Sequence, residues 1–218
     1  MVRVVFGTKP LDLTVPMYDD FQVKTVVAPP LYYVVPAQWK DVIEVLEAHG
    51  LQLLQTAEAT TFEAESYRFS DVSWPLAPFE GRIRPTFKVE AVRERRTFPA
   101  GSMVVPLAQQ SAKVAINLLE PEAPDSLVAW GFFNAIFEQK EYGEAYVLEK
   151  LARQMMAKDP DLRAQFHRRL AADPKFASSP QERLQFFYER SPYWDRQLNL
   201  YPIGRVTCPL TIETLNVQ

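Results

Sequence analysis

The chain has 218 residues, 47% of them hydrophobic and 23% charged, with a formal net charge of −3 and a pI near 5.5. That composition supplies one sizeable core or two small ones and excludes an intrinsically disordered chain. Basic residues are interspersed with acidic ones, which gives no electrostatic reason to expect a nucleic acid partner, and the single cysteine, Cys208, excludes an intrachain disulfide and a multi-cysteine metal site.

The opening run Met1-Val2-Arg3-Val4-Val5-Phe6-Gly7 reads as a short strand. It lacks the longer apolar stretch and small-residue cleavage site of a secretory signal, so no signal peptide is expected in this chain. Pro or charged residues interrupt every apolar run well before the ~20 residues of a membrane span, so a soluble chain with no membrane insertion is expected. Up to about Pro106 the sequence is rich in β-branched and aromatic residues, as in 31–36, 62–69 and 82–89, which predicts strands. Between the first two, Trp39, Val42, Ile43 and Leu46 mark one apolar face of a helix over 38–49, and Gly50 supplies its stop. Leu51 to Leu54 return as a strand, which makes a βαβ-like unit. A hairpin is expected with arms at 89–92 and 95–98, followed by a turn over Phe98-Pro99-Ala100-Gly101-Ser102 and a strand at 103–105.

A helix is predicted over 107–119. Pro121 and Pro124 then bias their predecessors away from helical backbone, and Asp125 or Ser126 can cap a helix over 126–137 that buries Leu127, Trp130, Phe133, Ala135 and Phe137. Helices follow near 142–157, 160–171 and 181–189. The sequences Lys158-Asp159-Pro160, Ala172-Asp173-Pro174 and Ser178-Ser179-Pro180 each set a capping residue before a proline suited to the first helical position. The expected fold class is α+β: an N-terminal mixed, largely antiparallel sheet with the βαβ-like unit, then a helical C-terminal region. The corresponding division is 1–106 strand-rich, 107–205 helical and packed on it, and 206–218 a C-terminal tail.

No catalytic centre is legible. His49 stands at a helix end and His167 beside Arg168, neither with metal-ligand spacing, and no His-Glu-x-x-His or Gly-x-Ser-x-Gly pattern exists. Glu63 and Glu65 share one face of a predicted strand, where a solvated charged face explains them better than acid and base roles. The glycine turn at 99–102 before a helix is far short of a phosphate-binding signature. The segment 186–205, rich in aromatics and arginine, either docks the helical region on the sheet or offers a recognition surface for a peptide or protein; its candidate interface residues are Tyr188, Arg190, Tyr193, Trp194 and Arg196.

Four stretches in a shared order resemble one family: Tyr33 to Trp39 with Val42 to Gly50; Thr97 to Ser102; Leu118 to Phe133; and Arg190 to Asp195 through Asn199-Leu200-Tyr201-Pro202. Together they are similar to the region that follows the catalytic domain in bacterial M14-family zinc carboxypeptidases. The resemblance implies a non-catalytic accessory domain, with zinc and the catalytic residues in the upstream domain and no cofactor in this chain. It also implies an M14-like catalytic domain as partner, in the same polypeptide or as a separate chain, and a parent protein exported from the cytoplasm. A free-standing peptide- or protein-binding module using 186–205 is the alternative, and the oligomeric state stays open.

Overall fold

A computed structural model describes residues 2–23, 25–208 and 215. The elements in chain order are β1 (Tyr32–Val35), α1 (Lys40–Ala48), β2 (Leu54–Gln55), β3 (Thr60–Ser73), β4 (Thr86–Phe98), β5 (Met103–Pro106) and α2 (Ala112–Leu119). A 3-10 turn (Asn134–Phe137) follows, then α3 (Ala145–Lys158), α4 (Pro160–Ala172), α5 (Pro174–Ser178), α6 (Pro180–Tyr188) and β6 (Gly204–Val206). The fold is α+β, as the sequence predicts. The sheet order is β2-β5-β1-β6-β3-β4, and its neighbouring pairs are antiparallel. Strands β1 and β2 both pair antiparallel with β5, so they run parallel to each other across it, and α1 connects them as the βαβ-like unit requires.

Period-2 alternation assigns the two sheet faces. Tyr33, Val35, Tyr67, Phe69, Val105 and Ile203 point to one side, where α1 contributes Val42, Ile43 and Leu46 and α2 contributes Ala115 and Leu119. Val34, Phe62, Ala64, Phe98, Val104 and Val206 point to the other, with Leu215 over them. Each large aliphatic or aromatic side chain removed from water this way stabilises the fold by about 1.5–3 kcal/mol before the cost of ordering it. A third cluster, Ala152, Leu162, Phe176, Phe186 and Phe187, lies among α3 to α6 and is separate from the sheet cores. After α6 the chain returns to the sheet: Phe69 N donates to Asn199 O at 2.8 Å, Tyr201 N to Tyr67 O at 2.8 Å, and Leu31 N to Val206 O at 2.8 Å. The strand that the sequence division splits at 205 therefore lies inside the sheet, between β1 and β3.

Several expectations fail. The hairpin at 89–92 and 95–98 does not form, because β4 runs unbroken over 13 residues and pairs with β3, Thr60 opposite Phe98 through Ser70 opposite Lys88. The reversal lies earlier, at Phe79-Glu80-Gly81-Arg82, where Glu80 (φ 48°) and Gly81 (φ 77°) both take left-handed backbone, as a tight two-residue hairpin turn demands. The helix predicted over 126–137 is one turn. Ser126 Oγ accepts from Ala129 N at 3.0 Å, capping it as expected. Gly131 (φ 75°) then ends it, with Phe132 N donating to Leu127 O and Gly131 N to Val128 O, the paired bonds of a glycine C-terminal stop. The short 3-10 turn at 134–137 follows. Helix α2 starts at Ala112 rather than 107, and the predicted strand 51–54 shrinks to Leu54–Gln55. Of the opening run, residues 2–7 take no regular secondary structure; Met1 lies outside the described residues.

Candidate functional site

Glu120 leaves the C-terminal end of α2 with its backbone already extended (φ −84°, ψ 119°) and only 3% of its surface exposed. A carboxylate there has neither water nor a favourable helix dipole, so it needs partners. It finds three. Tyr33 OH donates to Oε1 at 2.5 Å, Tyr67 OH to Oε2 at 2.6 Å, and Arg205 Nε to Oε1 at 3.0 Å. The remaining guanidinium nitrogens are also used, Nη1 on Glu65 Oε2 at 3.3 Å and Nη2 on Ala28 O at 2.6 Å. Glu65 in turn holds Arg93, and Tyr201 OH donates to Leu119 O at 2.8 Å.

Burial and the adjacent Glu120 carboxylate push the Tyr33 phenol far above its ordinary value, and burial with the hydrogen bond to Glu120 does the same for Tyr67. Burial raises Tyr201 likewise, with Glu120 adding to it. Burial alone would pull the Arg205 guanidinium down, and the facing Glu120 together with Tyr67 and Tyr33 more than offsets it, so the net shift is upward. Protonated phenols and a charged guanidinium thus surround one carboxylate with their donors committed. The cluster ties β1, β3, β6 and the end of α2 together, and its groups are committed to one another rather than to a reacting molecule. Sequence reading passed over it. The signals were a carboxylate inside the run Leu118-Leu119-Glu120-Pro121 and an arginine between Gly204 and Val206, both in otherwise buried stretches.

The first and the last of the resembling stretches meet at a second place. Gln38 and Trp39, Arg96, Ala135 and Ile136, and Asp195, Gln197, Leu198, Leu200 and Pro202 line one cavity of about 160 Å³, with Glu138 and Lys140 at its side. Arg96 donates to Tyr201 O at 2.9 Å and Pro202 O at 3.2 Å, and burial lowers its guanidinium below the usual range, partly offset by Glu94. The indole Nε1 of Trp39 is buried and, among the described residues, has no hydrogen-bond partner.

The candidate interface residues scatter. Tyr188 is buried with its ring edge-on to Trp194 at 5.3 Å. Arg190 stays 40% exposed in its side chain while donating to Phe186 O at 2.8 Å and lying 3.9 Å over the Phe186 ring. Tyr193 is 70% exposed, and Arg196 is exposed while its carbonyl accepts from Arg68. Glu65 is engaged by Arg93 and Arg205 rather than paired with Glu63. His49 Nδ1 lies 2.8 Å from Val45 O, and among the described residues no three His, Cys, Asp or Glu side chains gather as a metal-holding group. Among the described residues no helix is long and apolar enough to cross a membrane.

Over 102 residues, 47% of the chain, the sequence is 28% identical to carboxypeptidase 2 of Trichophyton tonsurans. Identity and coverage are the same for carboxypeptidase 2 of Trichophyton equinum and of Trichophyton rubrum. Nearly half of the chain is carboxypeptidase-like in sequence. The matched segment spans 19% of the length of these relatives. No family model matches the chain. No solved structure matches it either.

Proposed function

We propose that this chain is a non-catalytic accessory domain of an M14-like metallocarboxypeptidase, flanking and supporting a zinc peptidase domain that supplies the chemistry. The observation that carries the reading is the 102-residue similarity to carboxypeptidase 2, which covers a fifth of those proteins. Two features of the fold support it. The buried Glu120 cluster uses its acids and bases on one another, and the two histidines lie apart on α4 and at the end of α1, so zinc would be held by the partner domain. The test compares the chain alone with the chain joined to a zinc peptidase domain, measuring bound metal and release of C-terminal amino acids from peptides. Hydrolysis and zinc only in the joined protein are expected; zinc-dependent hydrolysis by the chain alone would sink the reading.

A second reading, a free-standing peptide- or protein-binding module, is favoured by the cavity beside Trp39. Its lining residues Asp195, Gln197, Leu198, Leu200 and Pro202 belong to the aromatic and arginine-rich segment, and the unpartnered Trp39 Nε1 is a donor suited to a peptide carbonyl. It expects saturable peptide binding, seen as a change in tryptophan fluorescence, that weakens on Gln197→Ala with unchanged thermal unfolding. Equal binding by both proteins would reject it.

A further inference from the structure

The N-terminal residues 2–23 are patterned as strand yet make almost nothing of it. Val2, Val4, Val5, Phe6, Leu11, Leu13, Val15, Met17, Tyr18, Phe21 and Val23 are each at least 69% exposed. Among the described residues the backbone of this arm makes one hydrogen bond, Phe21 N to Asp19 O at 3.1 Å. In Leu11-Asp12-Leu13-Thr14-Val15-Pro16-Met17 apolar and non-apolar residues alternate, the period of a strand with one face to bury. Its prolines add a constraint. Pro10 and Pro16 have the same parity, so as a strand both would turn their missing donors to one edge, while Leu11, Leu13, Val15 and Met17 keep theirs on the other. Such a segment can pair on one side only, as an added edge strand.

The molecule also carries the complementary template. β4 is an edge strand of 13 residues with one long side unpaired. It bears Lys88, Arg93, Arg95 and Arg96 against Glu90 and Glu94, a net +2; Lys88 and Arg93 are paired with Asp71 and Glu65 of β3 and remain 77% and 63% exposed. The arm from Pro10 to Val23 holds Asp12, Asp19 and Asp20 with no Lys or Arg, a net −3. On one face of β4, Phe87, Val89 and Ala91 form an apolar row that the arm's Leu11, Leu13, Val15 and Met17 would extend. Within one chain the root of the arm, Thr25 to Pro29, lies beside Val89 and Ala91, and the residues before it continue without pairing to their own β4.

From the parity of the prolines, the opposite charges and the open edge, we infer that the arm of one copy adds antiparallel or parallel to β4 of a second copy, with reciprocal exchange closing a twofold dimer. The inference is independent of the carboxypeptidase reading. The test is sedimentation velocity of the full chain over a wide concentration range, with hydrogen exchange on residues 11–23. A mass of two chains at high concentration, with protection of the arm that appears with the dimer, is expected. Val15→Pro, which removes a donor from the pairing edge, should return the mass to one chain, and Thr14→Pro, on the outward edge, should leave the dimer intact. Both positions lie outside the packed core, so neither variant tests folding. A monomer at every concentration, an arm protected within the monomer, or equal effects of the two prolines would each overturn the proposal.

Discussion

Glu120 shows how much one buried side chain can fix. Removing one partner of a buried ion pair leaves the other uncompensated, so Glu120→Gln, which keeps the shape and discards the charge, should cost on the order of 3 kcal/mol in urea unfolding. The neighbouring phenols make the same cluster sensitive to alkali. Tyr33 and Tyr67 are both held protonated well above their ordinary range in the folded state. The unfolded chain therefore releases these protons first, from about pH 10 upward. Their stabilisation is complete below that pH and is lost as pH rises above it, with a slope of up to about 1.4 kcal/mol per pH unit for each tyrosine. Tyr67→Phe should lower stability at neutral pH by about 1.5–3 kcal/mol, the usual worth of a hydrogen bond to a charged group. It should also flatten the alkaline decline, which urea unfolding from neutral to alkaline pH would check; an unchanged slope would place the Tyr67 proton outside the linkage.

At the scale of elements, what the sequence made legible was local. Asp159, Asp173 and Ser179 each accept from the backbone three residues on, and Pro160, Pro174 and Pro180 open their helices, so these starts follow from capping chemistry alone. The apolar stripe of α1 was equally plain. What was hidden depended on partners far along the chain. β4 looked interrupted at Arg93-Glu94 because those charges resemble a turn, whereas pairing with β3 and contacts such as Arg96 to Tyr201 O keep it straight. The aromatic stretch after Ser126 looked like a helix by its density of large side chains, and Gly131 ended it. At Gly131 a Cβ would lie 2.6 Å from Ile83 O on left-handed backbone, where the stretch receives the β3–β4 hairpin: Arg84 donates to Pro124 O and lies 4.5 Å over the Trp130 ring. Gly131→Ala should therefore cost about 1–3 kcal/mol by strain and free the hairpin end, visible as faster amide exchange around Ile83. The Glu120 cluster stayed hidden for the same reason, its hydrogen-bonded side chains being up to 140 residues apart. The helices α3 to α6 keep their own core, so Phe176→Ala should cost about 3–5 kcal/mol and loosen exchange there before it does in β1 and β5. Equal loosening of the sheet would mean that the two regions unfold as one.

For the whole molecule, the sheet holds together elements from both ends of the described chain. β6, from residues 204–206, sits between β1 and β3, and Ser66 Oγ donates to both Tyr201 O and Ile203 O. Such long-range closure makes the sheet core a late and cooperative product of folding. The N-terminal arm contributes nothing to that core, since its large apolar residues are exposed. Deleting residues 2–23 should then leave the unfolding midpoint of dilute protein unchanged. At high concentration the intact chain should become the more stable of the two, because association of folded copies stabilises them by mass action while the truncated chain has no arm to exchange. Thermal unfolding of both forms across a concentration series decides it. A midpoint that rises with concentration only for the intact chain is the expected outcome; a deletion that lowers the dilute midpoint would show that the arm packs on its own chain.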